Sequence, residues 1–78
     1  MMEEPDPELL LDLANTRMPF GKYQGRLLIE LPDAYLAWFK RQGFPRGKLG
    51  MLMETALEVR LNGLEALVRP LVRQEPDA

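Results

Sequence analysis

The side chains best placed for chemistry in this 78-residue chain are cations, and they are concentrated in one stretch. Residues 16–48 carry Arg17, Lys22, Arg26, Lys40, Arg41, Arg46 and Lys48 against only Glu30 and Asp33, a local balance of +5. The fifteen residues before them carry five acids and no base, and residues 49–78 carry three arginines against five acids, so the net charge is -2. A basic block between acidic ends points to an anionic partner more directly than the overall charge does. The competing reading is that the acidic ends neutralise the block within the fold.

Within the block, the run Met18-Pro19-Phe20-Gly21-Lys22-Tyr23-Gln24-Gly25 invites comparison with a phosphate loop, in which glycine amides cradle phosphates and a lysine reaches their oxygens. Tyr23 stands where such a loop needs Ser or Thr, and no helix starts there. The glycines therefore read as turn geometry, with Phe20 an anchor under the turn and Lys22 displayed at its tip. Arg46 and Lys48 are a second anomaly. At the start of a helix a cation is unfavourable by about 0.3–1 kcal/mol, whereas an anion is welcomed by the free amides. A turn carrying Lys22 and Arg26 close by would complete a ring of four cations around one anion-sized spot, with Lys40 and Arg41 as extensions. Otherwise these side chains reach acids elsewhere in the fold.

Tyr35, Trp38 and Phe39 could stack on nucleic-acid bases, each stack being worth about 1–3 kcal/mol. In a domain this small, an aromatic stripe at helical spacing reads as core, which assigns Trp38 and Phe39 to the interior. Tyr23 and Tyr35 have polar tips and fit either role.

Other chemistries are closed off by composition. The chain contains no histidine, cysteine or serine, and Thr16 and Thr55 stand alone, so nucleophilic triads are excluded. The densest acids, Glu3 to Asp12, fall on a tail and first helix that read as a solvated face rather than a metal site. No enzyme activity, metal or cofactor is expected. Neither disulfides nor the usual zinc ligand sets can staple the fold, so its core must be well packed or shared with a second copy.

The elements that position these residues follow from local signals. Asp6-Pro7-Glu8 starts a helix over residues 7–15, with Asp6 as cap and Pro7 in the first position. Met18-Pro19-Phe20 and Arg26-Leu27-Leu28 flank Gly21 to Gly25 and predict a small β-hairpin, with Pro19 on an edge strand. Leu31-Pro32-Asp33 opens a helix over 33–42 that Gly43-Phe44-Pro45 stops. A long third helix begins near residues 46–48 and is broken or bent near Gly63, before a short fourth helix that Pro70 kinks or ends. The predicted fold is thus α+β and mainly helical, one domain over 7–73 with an acidic tail at 1–6 and a frayed tail at 74–78. Helices three and four carry more apolar surface than the remainder covers, which makes a homodimer a candidate arrangement. The acidic N-terminus does not read as a signal peptide, and no run approaches the roughly 20 apolar residues of a membrane span, so a soluble cytoplasmic protein away from membranes is expected.

Met18 to Gly25, then Leu31-Pro32-Asp33-Ala34-Tyr35-Leu36-Ala37-Trp38-Phe39, and Asn62-Gly63-Leu64-Glu65 together resemble a small bacterial family described as putative quorum-sensing-regulated virulence factors. The resemblance covers about residues 15–68, and it implies no particular molecular activity. The first two blocks are also similar to an accessory segment that accompanies some proofreading-type exonucleases, without any counterpart of their catalytic domain. That similarity implies nucleic acid as a partner, with Lys22 and the turn at Gly21 to Gly25 as contact surface.

Two functions follow for comparison. One is a non-catalytic module whose cations Lys22, Arg26, Arg46 and Lys48, extended by Lys40 and Arg41, bind nucleic acid or another polyanion. The other is a protein-interaction or regulatory module that acts through its helical surface.

Overall fold

The computed structural model describes residues 7–72, and within them the fold is built from helices. Helix α1 spans Pro7–Asn15, α2 Asp33–Gln42, α3 Lys48–Leu61 and α4 Glu65–Val68, with 3-10 turns at Leu28–Glu30 and Arg69–Leu71. Helix α3 is the spine, against which α1, α2 and the Leu28–Glu30 turn all pack. Its residues Leu52, Met53, Ala56 and Leu57 meet Leu13 and Ala14 of α1, the loop residues Met18, Leu28 and Leu31, and Leu36 of α2 in one buried core.

The helix boundaries follow the local signals. Helices α1 and α2 occupy 7–15 and 33–42 as their starts and stops predict. Gly43, at φ +104°, donates its N–H to the Phe39 carbonyl at 2.6 Å and ends α2. Gly63, at φ +66°, separates α3 from α4, and Pro70 falls in the closing 3-10 turn. The Asp6 cap and the segments 1–6 and 74–78 lie outside the described residues.

The β-hairpin is not there, and the α+β assignment is corrected to an all-helical one: no strand occurs among the described residues. A single antiparallel bridge, Arg17 to Leu27, is what remains of the ladder. The Met18 N–H donates to Arg26 O at 2.7 Å and the Gly25 N–H to Met18 O at 2.8 Å, closing the base of a loop. Beyond that base, Pro19 has no N–H to give. The chain instead makes two tight turns, Gln24 N–H to Gly21 O and Arg26 N–H to Tyr23 O. On the return side Leu27, Leu28 and Ile29 are all buried in succession. A strand with one buried face would bury every second residue; here Leu27 stays extended and the chain coils into a 3-10 turn at Leu28, which lets all three be buried. The edge-strand role for Pro19 falls with the hairpin.

Two aromatic placements are also corrected. Trp38 is 47% exposed and Phe20 43% exposed, so neither is a core anchor. Leu36 and Phe39 point inward from α2, and Trp38 lies one residue, about 100°, round the helix from Phe39. The residue beneath the loop is Tyr23, half-buried against the core.

A few side-chain and backbone contacts fix the packing. The Asn15 side-chain amide donates to the carbonyls of Leu11 at 3.0 Å and Leu71 at 2.9 Å, tying the last turn to α1. Arg60 of α3 reaches both the Ile29 carbonyl and Asp33. Gly50 is buried in the first turn of α3, where a Cβ would run into the backbone carbonyl of Pro45.

Candidate functional site

The loop from Met18 to Arg26 is braced at its base by the Arg17 guanidinium, which donates to the Gly25 carbonyl at 2.7 Å. Glycines at φ +83° and +91° turn its two corners. Gly21 sits close enough to α2 that a Cβ would come within 3.0 Å of the Tyr35 hydroxyl. The loop is therefore seated on α2 rather than free, and it holds out Lys22, whose Nζ lies 5.5 Å from the centre of the Tyr23 ring. That is within the range of a cation–π contact.

From Tyr23 a row of rings runs along α2. Tyr23 meets Tyr35 with centroids 4.7 Å apart, Tyr35 meets Phe39 at 5.2 Å, and Phe39 meets Trp38 at 5.1 Å, all edge to face. Edge-to-face geometry sets the positive rim of one ring against the negative face of the next and fixes side chains beyond what burial alone would do. Tyr35, Phe39 and Tyr23 are half-buried, and the row emerges into solvent at Trp38. Arg41 follows Trp38 by three positions, which places the two on one helix face. Lys40 and Arg41 both occupy the last turn of α2, where cations complement the helix dipole.

The proposed ring of four cations resolves unevenly. Lys48, in the first turn of α3, makes an ion pair with Asp12 of α1 at 2.7 Å. Its ammonium pKa is raised above the usual 10.5, first by the hydrogen bond to Asp12, then by the charge of Asp12, and least by Glu8. For Lys48, then, the reading in which the cation reaches an acid elsewhere is the observed one. Lys22, Arg26, Lys40, Arg41 and Arg46 are exposed, and none has an ion-pair partner among the described residues. Lys22 is tied through Tyr23 to α2, whereas Lys48 is tied to α1. The two are thus tied to different helices.

Two participants escape a reading of the sequence alone. Arg60 and Asp33 look like ordinary surface charges 27 positions apart, and only the packing of α3 on α2 shows that they pair. The exposure of Trp38 could have been suspected from its neighbours, because Leu36 and Phe39 define an inward direction that leaves Trp38 to one side. Among the described residues, no group of three or more carboxylates converges as a metal site would require. No helix there is long and apolar enough to cross a membrane.

Comparison with known proteins places this sequence in a family. Residues 6–71 match the family described as "Putative quorum-sensing-regulated virulence factor". The chain is 55% identical over 69 residues to the "Uncharacterized protein YpeB" of Escherichia coli strain K12, an alignment covering 87% of this chain and 96% of that protein. The protein of the same name from Escherichia coli O157:H7 matches equally. No solved structure matches the chain significantly. The chain belongs to the family of putative quorum-sensing-regulated virulence factors.

Proposed function

We propose that this member of the family is a non-catalytic module that binds nucleic acid through the loop cations Lys22 and Arg26, the α2-end cations Lys40 and Arg41, and Arg46 in the α2–α3 connection. One observation carries the reading. These five cations, like Arg17 at the base of the loop and Arg69 outside the stretch, are exposed and have no acidic partner among the described residues, while Lys48 and Arg60 do. In a chain of net charge -2, unpaired cations left within one stretch provide a local field that an anionic polymer can neutralise. Phosphate contacts of this kind release counterions, so affinity falls with salt by a log–log slope of about 0.7–0.9 per phosphate neutralised.

Fluorescence anisotropy with labelled DNA and RNA, at about 50 and 200 mM salt, tests this directly. Binding is expected at the lower salt, falling steeply at the higher, and weakened by a Lys22→Glu, Arg41→Glu double variant. Absence of binding at low salt, or equal binding by the variant, overturns the proposal.

A second reading has its own observation. Leu61, Leu64 and Leu67 are 67%, 43% and 64% exposed around the α3–α4 junction, remote in sequence from the cations. That face suits a protein interaction, with a second copy of the chain as the occupant that would make a homodimer.

A further inference from the structure

We propose that Trp38 is a stacking platform for an unpaired base, so that the ligand preferred by the basic surface is single-stranded nucleic acid. This deepens the nucleic-acid reading above and rests on it. Trp38 is the one tryptophan of the chain, and it keeps nearly half its surface in solvent although it touches Phe39, which packs against the core. An inward position would bury more of so large an apolar ring, and the contact with Phe39 recovers only part of that stabilisation.

Its orientation is nonetheless prepared. Phe39 holds it edge to face at 5.1 Å, Tyr35 holds Phe39, and Tyr23 in the loop holds Tyr35. A ring fixed before the ligand arrives loses little side-chain freedom on stacking, which raises affinity without any added contact.

Charges flank the row at both ends. Lys22 lies over Tyr23 at the loop end, and Arg41 shares a helix face with Trp38 at the other. Both are free of acidic partners among the described residues, and Asp33, the acid at the start of α2, is taken by Arg60. One exposed ring, Trp38, with a cation beside it and another at the far end of the row suits a strand that offers an unstacked base between phosphates. A duplex presents its phosphates but keeps its base faces stacked inside, so it can use the cations and not the ring. Charge thus accounts for binding, and Trp38 for the choice among polyanions.

Because the tryptophan is unique, its own emission reports the contact. The intact protein is titrated at low salt with oligothymidylate, with duplex DNA of equal length and with heparin. Trp38→Ala and Trp38→Phe are compared with it after a thermal melt of each. Quenching by oligothymidylate, a preference for it over duplex, and a loss of about tenfold or more in Trp38→Ala that Trp38→Phe partly restores are expected, with heparin affinity unchanged. Equal single-strand affinity for wild type and Trp38→Ala, or single-strand binding without quenching, overturns the inference. If all three polyanions bind equally and the Lys22→Glu, Arg41→Glu variant weakens all of them, stacking fails while the charge reading survives. If none binds, both fail.

Discussion

Arg60 of α3 and Asp33 of α2 are joined Nε to Oδ1 at 2.8 Å, and the same guanidinium donates through Nη1 to the Ile29 carbonyl at 2.6 Å. One side chain near the end of α3 thereby holds the 3-10 turn and the first residue of the helix that follows it. Glu65, the first residue of α4, stands 4.0 Å from the same Nε. Asp33 and Glu65 both sit where a negative charge favours a helix start, and Arg60 sits in the last turn of α3, where a positive one does. Three helix ends are thus matched in charge around one group. Since α2 carries Tyr35, Trp38 and Arg41, this clamp also positions the candidate interface.

Removing the clamp should cost stability unevenly across its partners. The Arg60 side chain is 21% exposed, whereas that of Asp33 is 62% exposed, so solvent screens the ion pair more than the carbonyl bond. Arg60→Ala is expected to destabilise by roughly 1.5 kcal/mol, mostly by leaving the Ile29 carbonyl without its charged donor. For a domain of this size that lowers the thermal midpoint by about 6–12 °C. Asp33→Asn should cost less than half as much. Urea denaturation of both variants decides it: equal losses would assign the effect to the ion pair instead.

Gly50 makes a prediction of opposite sign to the usual one. Glycine to alanine in a helix ordinarily gains about 1 kcal/mol. Here the added methyl would meet the Pro45 carbonyl carbon and oxygen, which are backbone atoms and cannot swing aside. Gly50→Ala should therefore destabilise by about 1–3 kcal/mol, in the range of other overpacked sites. Chemical denaturation showing a gain would mean that the α2–α3 connection, and Arg46 with it, is free to move.

The same contrast between local and long-range causes explains what could be read in advance. Pro7, Pro32-Asp33, Gly43 and Gly63 act on their own few residues, and the helix limits near them follow from sequence. The loop did not, because glycines flanked by apolar residues look alike whether the flanks pair or coil. What decided it was the demand to bury Leu27, Leu28 and Ile29 together, which comes from α1 and α3. Lys22 at a loop tip was legible, but its coupling through Tyr23 to α2 was not. Trp38 was misassigned because ring size suggests burial, while direction on the helix decides it. Pairing was hidden for the same reason: Asp12 and Lys48 are 36 residues apart, and only the packing of α1 on α3 brings them to 2.7 Å.

That ion pair yields a pH dependence with a definite sign. The folded-state pKa of Lys48 lies above its ordinary 10.5, so the unfolded chain releases this proton first as pH rises. The stabilisation is fully present below the unfolded value and is lost as pH climbs through the raised folded value. Wild type should melt above Lys48→Met at neutral pH, and the gap should close only in strongly alkaline solution. A gap that is constant with pH would assign it to the lysine's alkyl packing. Asp12→Asn has a second consequence, since it frees Lys48 for phosphate. Nucleic-acid affinity should rise in that variant and the salt slope steepen by about one phosphate, measured by anisotropy across a salt series.

The exposed leucines permit an energetic argument about self-association. Leu61, Leu64 and Leu67 each retain between 43% and 67% exposure, and α4 turns its one buried residue, Val68, the other way. Fully burying a leucine contributes about 1.5–3 kcal/mol, so covering these partly exposed ones on two copies contributes roughly 5–10 kcal/mol. Association costs an estimated 4–15 kcal/mol, which leaves a weak dimer at best. In the second reading, light scattering after size exclusion should show a mass that rises from monomer toward dimer only from the high-micromolar range upward. Leu61→Glu, Leu67→Glu should stay monomeric at every concentration while binding nucleic acid as wild type does, because the cations and Trp38 lie elsewhere. A wild type that stays monomeric throughout removes the dimer, and a variant that loses nucleic acid as well would join the two surfaces into one.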